Sequence, residues 1–113
     1  MKTRNLFLLK MFFSMLLLSG CYQPRADFTQ EVVHEAETTV KSFIINNYQE
    51  VERVKVENVF RNSSGGMSVT GTVNKKACFH IYVDEYKFVI GSVETDETFP
   101  KLKEECRETI CEY

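Results

Sequence analysis

The sequence predicts an α+β domain: one N-terminal helix packed on a four-stranded antiparallel sheet, with a short cysteine-bearing tail behind it. Three observations carry this. A single segment, residues 28–48, repeats apolar residues at three- and four-residue steps, the period of one helix face. Beyond residue 51 the period drops to two and holds through four short segments. The turns between those segments are only a few residues long, which suits antiparallel neighbours rather than crossovers.

The helix is predicted to begin at Asp27-Phe28-Thr29-Gln30, with Asp27 as N-cap and Gln30 completing a capping box. Phe28, Val32, Ala36, Val40, Phe43 and Ile44 form its apolar stripe, and Glu31, Glu35, Glu37 and Lys41 fall largely off it. Asn46-Asn47 are weak helix formers and mark the end. The first strand follows, with Val54, Val56 and Phe60 on one face and Arg53, Lys55 and Glu57 on the other. Asn62-Ser63-Ser64-Gly65-Gly66 is a turn cluster. Met67, Val69, Gly71 and Val73 alternate with Ser68, Thr70 and Thr72 as the second strand, and Asn74-Lys75-Lys76 makes the next turn. In the third strand Phe79, Ile81 and Val83 face the core, with Cys78, His80 and Tyr82 opposite. Asp84-Glu85 is the expected connection to a fourth strand over residues 86–93. A helix stripe over one face of such a sheet is a two-layer domain, residues 28–113.

The tail has another character. Residues 94–100 form an acidic loop, and Leu102, Cys106 and Ile110 then step by four, as in a short helix or helical turn. Cys78, Cys106 and Cys111 are the cysteines of the domain. A local Cys106–Cys111 bridge is favoured, and it would break a regular helix there, because residues five apart lie about 140° apart around the axis. A Cys78–Cys106 bridge, stapling the tail to the sheet, is the alternative. Redox chemistry is disfavoured: there is no Cys-x-x-Cys, and Glu104, Glu105, Glu108 and Glu112 would raise a thiol pKa.

The first twenty residues carry Lys2 and Arg4, an apolar run from Met11 to Leu18, then Leu18-Ser19-Gly20-Cys21. This is the layout of an export signal. Lys10 leaves the apolar run too short for a comfortable span. Leu-Ser-Gly before a cysteine resembles the lipobox of bacterial lipoprotein precursors. The resemblance implies that residues 1–20 are a signal peptide, that Cys21 takes diacylglycerol, and that its new amino terminus can take a further acyl chain such as palmitate. Residues 21–27 are then the lipidated cysteine and a short tether. Residues 22–26 gain at most ~3.5 Å each, so the domain stays within about 20 Å of the membrane. Loss of Lys2, Arg4 and Lys10 leaves 11 basic against 16 acidic residues and takes the formal charge from −2 to −5. An acidic domain of this kind is a poor match for nucleic acid and for lying flat on anionic lipid.

With its helix, four strands and Ser64-Gly65-Gly66-Met67 leading into Gly71-Thr72-Val73-Asn74, the chain resembles small, mostly uncharacterised lipoproteins of Gram-positive bacteria that are assigned a cystatin-like fold. The similarity covers residues 28–93. It implies a curved antiparallel sheet around one helix, a place on the extracytoplasmic face of the cell membrane and, for a group often carried on phages and integrative elements, a use in immunity or exclusion of a second element. Cysteine-protease inhibition is not expected, because a Gln-x-Val-x-Gly hairpin would be needed and Met67-Ser68-Val69-Thr70-Gly71 lacks the Gln.

No catalytic group, cofactor or metal is expected. His34 and His80 fall on different elements and make a poor metal pair. Glu94, Asp96 and Glu97 lack the glycine turn and terminal Glu of a calcium loop. Ser63 and Ser64 have no nucleophile elbow around them, and Asn62-Ser63-Ser64 matches a glycosylation sequon only formally. The leading expectation is therefore a non-catalytic module that binds a membrane-associated protein. The alternative is a small-molecule carrier or enzyme with a pocket between helix and sheet, and Tyr82, His80 or Tyr86 at its mouth.

Overall fold

A computed structural model describes residues 28–113; Cys21, the signal segment, the tether and Asp27 lie outside the described residues. Helix α1, Gln30–Asn47, packs on a sheet of β1 (Val54–Arg61), β2 (Met67–Val73), β3 (Ala77–Val83) and β4 (Ile90–Thr95). The strands are antiparallel and lie in chain order, so the sheet is a meander. The predicted fold class is the observed one.

The helix starts later than predicted. Thr29 is the N-cap, extended at φ −67° and ψ 160°, and its hydroxyl accepts from Val32 N at 3.3 Å. Gln30 is then the first helical residue and cannot complete a capping box from Asp27. The stripe behaves as its spacing demands: Ala36, Val40, Phe43 and Ile44 are buried, Val32 half-buried, and Glu31, Glu35 and Lys41 exposed. Against them stand Met67, Val69 and Val73 of β2, and Ala77, Phe79, Ile81 and Val83 of β3. Registers Met67↔Val83, Val69↔Ile81 and Val73↔Ala77 hold these side chains on one face.

Strand β1 departs from simple alternation. Val56 pairs with Gly71 but Asn58 pairs with Thr70, so Glu57 is an extra residue in a bulge. Because the side-chain period is two, one inserted residue exchanges the faces beyond it. Val59, opposite Val69, therefore packs on the core. Phe60, opposite Ser68, goes to the outer face, contrary to the sequence reading. Gly71 is what lets β1 sit so close: a Cβ there would collide with the Lys55 carbonyl and lie 2.8 Å from Phe79 Cζ. Thus Gly71 is a packing requirement of the bulge.

Short polar side chains close the turns. Asn62 Oδ1 accepts from Ser64 N and Gly66 N, while its amide reaches the buried Ser68 hydroxyl at 2.9 Å. Asn74, at φ 54°, accepts from Glu52 N and Arg53 N and donates to the Glu50 carbonyl, pinning the α1–β1 loop to the β2–β3 turn. Asp84 accepts from Tyr86 N and Lys87 N, and its carbonyl from Phe88 N, so residues 84–89 form the β3–β4 hairpin. The fourth strand accordingly starts at Ile90 and not at Tyr86. Asp96 accepts from the Thr98 hydroxyl and Thr98 N, and from Cys78 N at 2.8 Å.

The packing and the turns can each be tested. Phe79→Ala and Ile81→Ala should each cost about 2–5 kcal/mol in urea unfolding, and Phe60→Ala distinctly less; equal losses for Phe60 and Phe79 would refute the bulge register. Asp96 and Asp84 both titrate below the ordinary carboxylate range, Asp96 through the Thr98 hydroxyl and Cys78 N, Asp84 through Tyr86 N and Lys87 N. Their contribution is complete above the unfolded pKa of about 3.9 and is lost as pH falls through the lower folded value. Asp96→Ala should therefore be less stable than the parent at neutral pH. The gap should narrow in acid, as urea midpoints measured down the pH scale would show.

Candidate functional site

Residues after β4 build the surface that distinguishes this domain. The tail first returns to the end of α1: Gln49 N donates to Lys101 O at 2.8 Å, Tyr48 pairs with Leu102, and Lys103 N donates to Asn47 O. A 3-10 turn, Glu104–Cys106, then leads into the Cys106–Cys111 disulfide, whose Cα atoms lie 5.2 Å apart. This is the local bridge, and Cys78 is a free, exposed thiol on β3. The predicted step of Leu102, Cys106 and Ile110 does not form one helix, since Ile110 lies beyond the 3-10 turn and points to solvent.

Asn47 holds the tail in place. Its fully buried side chain accepts from Cys111 N at 2.8 Å and donates to Phe43 O and Cys111 O. The Cys106 sulfur is also 3.5 Å from Asn46 O. Beyond the disulfide, Tyr113 packs edge-on to Phe43 with centroids 5.3 Å apart, and its hydroxyl accepts from Ile90 N at 3.0 Å. Edge-to-face contacts continue from Phe43 to Tyr48, Phe99 and Phe79, sealing this side of the core with aromatic rings.

The outcome is an apolar edge beside β4. Val89, Ile110 and Tyr113 are 50%, 58% and 41% exposed, and all three line one surface depression of about 570 Å³ with Ile90, Cys111 and Glu112. Val89 and Ile90 also line a neighbouring depression of about 350 Å³ with Met67, Tyr82 and Val83. Tyr113 takes the Ile90 N–H, so that donor of the β4 edge is not open to a partner.

The outer sheet face carries other predicted residues. His80 stacks on Tyr82 at 4.5 Å, Phe60 lies 6.1 Å from His80, and His80 Nδ1 is 3.6 Å from Glu94. Nε2 of His80 is shielded from water and has no hydrogen-bond partner among the described residues. His80 and Tyr82 are thus on the face away from α1, and Tyr86 sits on the β3–β4 hairpin, so none of them lines a space between helix and sheet. That space is filled by Val40, Ile44, Met67, Val69 and Ile81, all buried completely or nearly so.

His34 is exposed on α1, on a different element from His80. Glu94 is on β4, and Asp96 commits its carboxylate to backbone groups. Among the described residues no cluster of three or more His, Cys, Asp or Glu could hold a metal ion. At the β2–β3 end Arg53, Lys55 and Lys75 surround a depression of about 310 Å³ together with Glu57 and Thr72. No helix of the described residues is long and apolar enough to cross a membrane. Comparison of the chain with protein-family models, with curated proteins and with solved structures returns no match.

Sequence reasoning missed Asn47 and the apolar edge. A polar residue at the end of a stripe looks like a helix stop, and isolated apolar residues in a charged tail look incidental. Their companionship depends on the tail's return path. Reducing the disulfide should cost about 2 kcal/mol from loop closure, and Asn47→Ala about 1–3 kcal/mol from the orphaned Cys111 N. Hydrogen exchange checks both: the Ile90 amide should lose protection in each case while the Ile81 amide keeps it.

Proposed function

We propose that the chain is a lipoprotein of the Gram-positive envelope, acylated at Cys21 and held on the extracytoplasmic face of the membrane. There it acts as a non-catalytic module that binds a membrane-associated protein. The observation that carries the binding reading is the apolar edge, where Val89, Ile110 and Tyr113, three of the exposed large apolar residues, come from the hairpin and the tail to line one depression. Contiguous exposed apolar residues at one place mark interaction sites more often than scattered ones do. The Leu18-Ser19-Gly20-Cys21 sequence supports the address, and the short tether supports a partner in or on the same membrane. Resemblance to lipoproteins of mobile elements adds immunity or exclusion as the use.

The address is tested by labelling with a palmitate analogue in a Gram-positive host, where Cys21→Ser should abolish both label and maturation. Binding is tested with a photo-crosslinking amino acid at position 110 on intact cells. A membrane protein should be captured, and Val89→Glu should reduce its yield at least tenfold without lowering the level of the lipoprotein. Saturable binding of a small ligand, with no membrane protein above background, would transfer the depression to the carrier reading.

A further inference from the structure

We propose that the β3–β4 hairpin tip, residues 84–89, is a second membrane contact, with Tyr86 seated in the lipid headgroup layer. This rests on acylation of Cys21, and the geometry beyond it comes from the fold. The chain enters the described domain at Phe28, and the segment from Cys21 to Phe28 spans at most about 25 Å. Phe28 is held at one end of the sheet, because the Arg61 guanidinium lies 4.5 Å over its ring. Arg61 in turn makes two hydrogen bonds to Glu85, at 3.0 and 3.1 Å. The registers agree, since Arg61 pairs with Met67 and Met67 with Val83, so the end of β1 and the tip after β3 share one end of the sheet. A membrane reached by Cys21 therefore lies within about 25 Å of Phe28, at the end of the sheet that carries this tip.

The chemistry of the tip suits a headgroup layer. Its two acids are engaged: the exposed Asp84 carboxylate accepts from Tyr86 N and Lys87 N, and Glu85 is paired with Arg61. What points outward is Tyr86, 84% exposed, followed by exposed Lys87 and then Val89. A ring with a polar end beside a cation is the combination enriched where hydrocarbon meets water. In a domain of formal charge −5, this end commits its carboxylates to backbone N–H groups and to Arg61, and presents an aromatic ring and an ammonium. The opposite end, with Arg53, Lys55 and Lys75, is a strand length away, roughly 25 Å for eight residues.

The chain contains no tryptophan, so Tyr86→Trp and Lys76→Trp each place one fluorophore, at opposite ends of the sheet. The full chain, acylated in cells and verified by palmitate-analogue label, is reconstituted into vesicles of phosphatidylcholine and phosphatidylglycerol. Emission of the Tyr86→Trp variant should shift to the blue and be quenched by brominated lipid, while that of Lys76→Trp stays water-like. Water-like, unquenched emission from labelled Tyr86→Trp protein overturns the proposal and leaves the anchor intact, and so does quenching of the Lys76→Trp variant instead. Absence of label at Cys21 removes the anchor and this inference together. Hydrogen exchange of the unsubstituted acylated chain gives a second reading free of any folding defect. Amides of residues 84–89 should slow on vesicles relative to detergent micelles, those of residues 74–76 should not, and equal exchange in the two media overturns the proposal.

Discussion

The side chain of Asn47 is the constraint on which the β4 side of the molecule depends. The last carbonyls of a helix lack intrahelical partners, and at the end of α1 Tyr48 N takes Ile44 O and Lys103 N takes Asn47 O. The buried Asn47 side chain adds a bond to Phe43 O behind it and bonds to both backbone groups of Cys111 across from it. A buried amide is costly unless its capacity is used, so the tail has one low-energy path. The disulfide shortens that path, and Tyr113 ends it on Phe43 and on the Ile90 amide. The apolar edge is thus a consequence of satisfying one polar group.

Much of the architecture was legible because it rests on periodicity. The α1 stripe and the alternation of β2 and β3 are statements about 3.6 and 2.0 residues per repeat, and burial follows them closely. Strand β1 was half legible. Val54, Val56 and Phe60 look like one face, yet Asn58 would then have to face the core and Val59 the solvent. The bulge at Glu57 resolves both conflicts at once, and the polar Asn58 was the sign of it. The start of β4 was misplaced for a different reason. Residues 86–89 have strand composition, but Asp84 takes the backbone donors that a ladder would need.

The site was less legible than the fold, because its members come together through contacts of long sequence separation. Asn47 and Cys111 are 64 residues apart, and Ile90 and Tyr113 are 23 apart. Nothing in local composition couples Val89 to Ile110. The local Cys106–Cys111 pairing was favoured over a Cys78–Cys106 bridge, and it is the one that forms. Local chemistry foretold that the polar loops would be turns, although not that Asn62, Asn74, Asp84 and Asp96 would each cap several backbone donors. These caps explain how an acidic domain keeps rigid hairpins: a carboxylate bonded to backbone N–H groups gains from its charge instead of repelling its neighbours.

In the proposed setting the small size of the apolar edge is a strength. Val89, Ile110 and Tyr113 are each about half-exposed already, so covering them is worth on the order of 1 kcal/mol apiece. In free solution that surplus would scarcely offset the loss of translational freedom on binding. Confinement of both partners to one membrane changes the balance, because tethering raises the effective concentration to roughly millimolar for short linkers. The edge also lies near the end of the sheet where the tether enters, since Val89 belongs at once to the depression and to the 84–89 hairpin. If Tyr86 rests in the headgroup layer, Val89 is held just above it, at the height where a membrane protein first emerges. A weak patch placed there would meet its partner only when both are anchored, and attachment at Cys21 would then be a condition of binding rather than only of location.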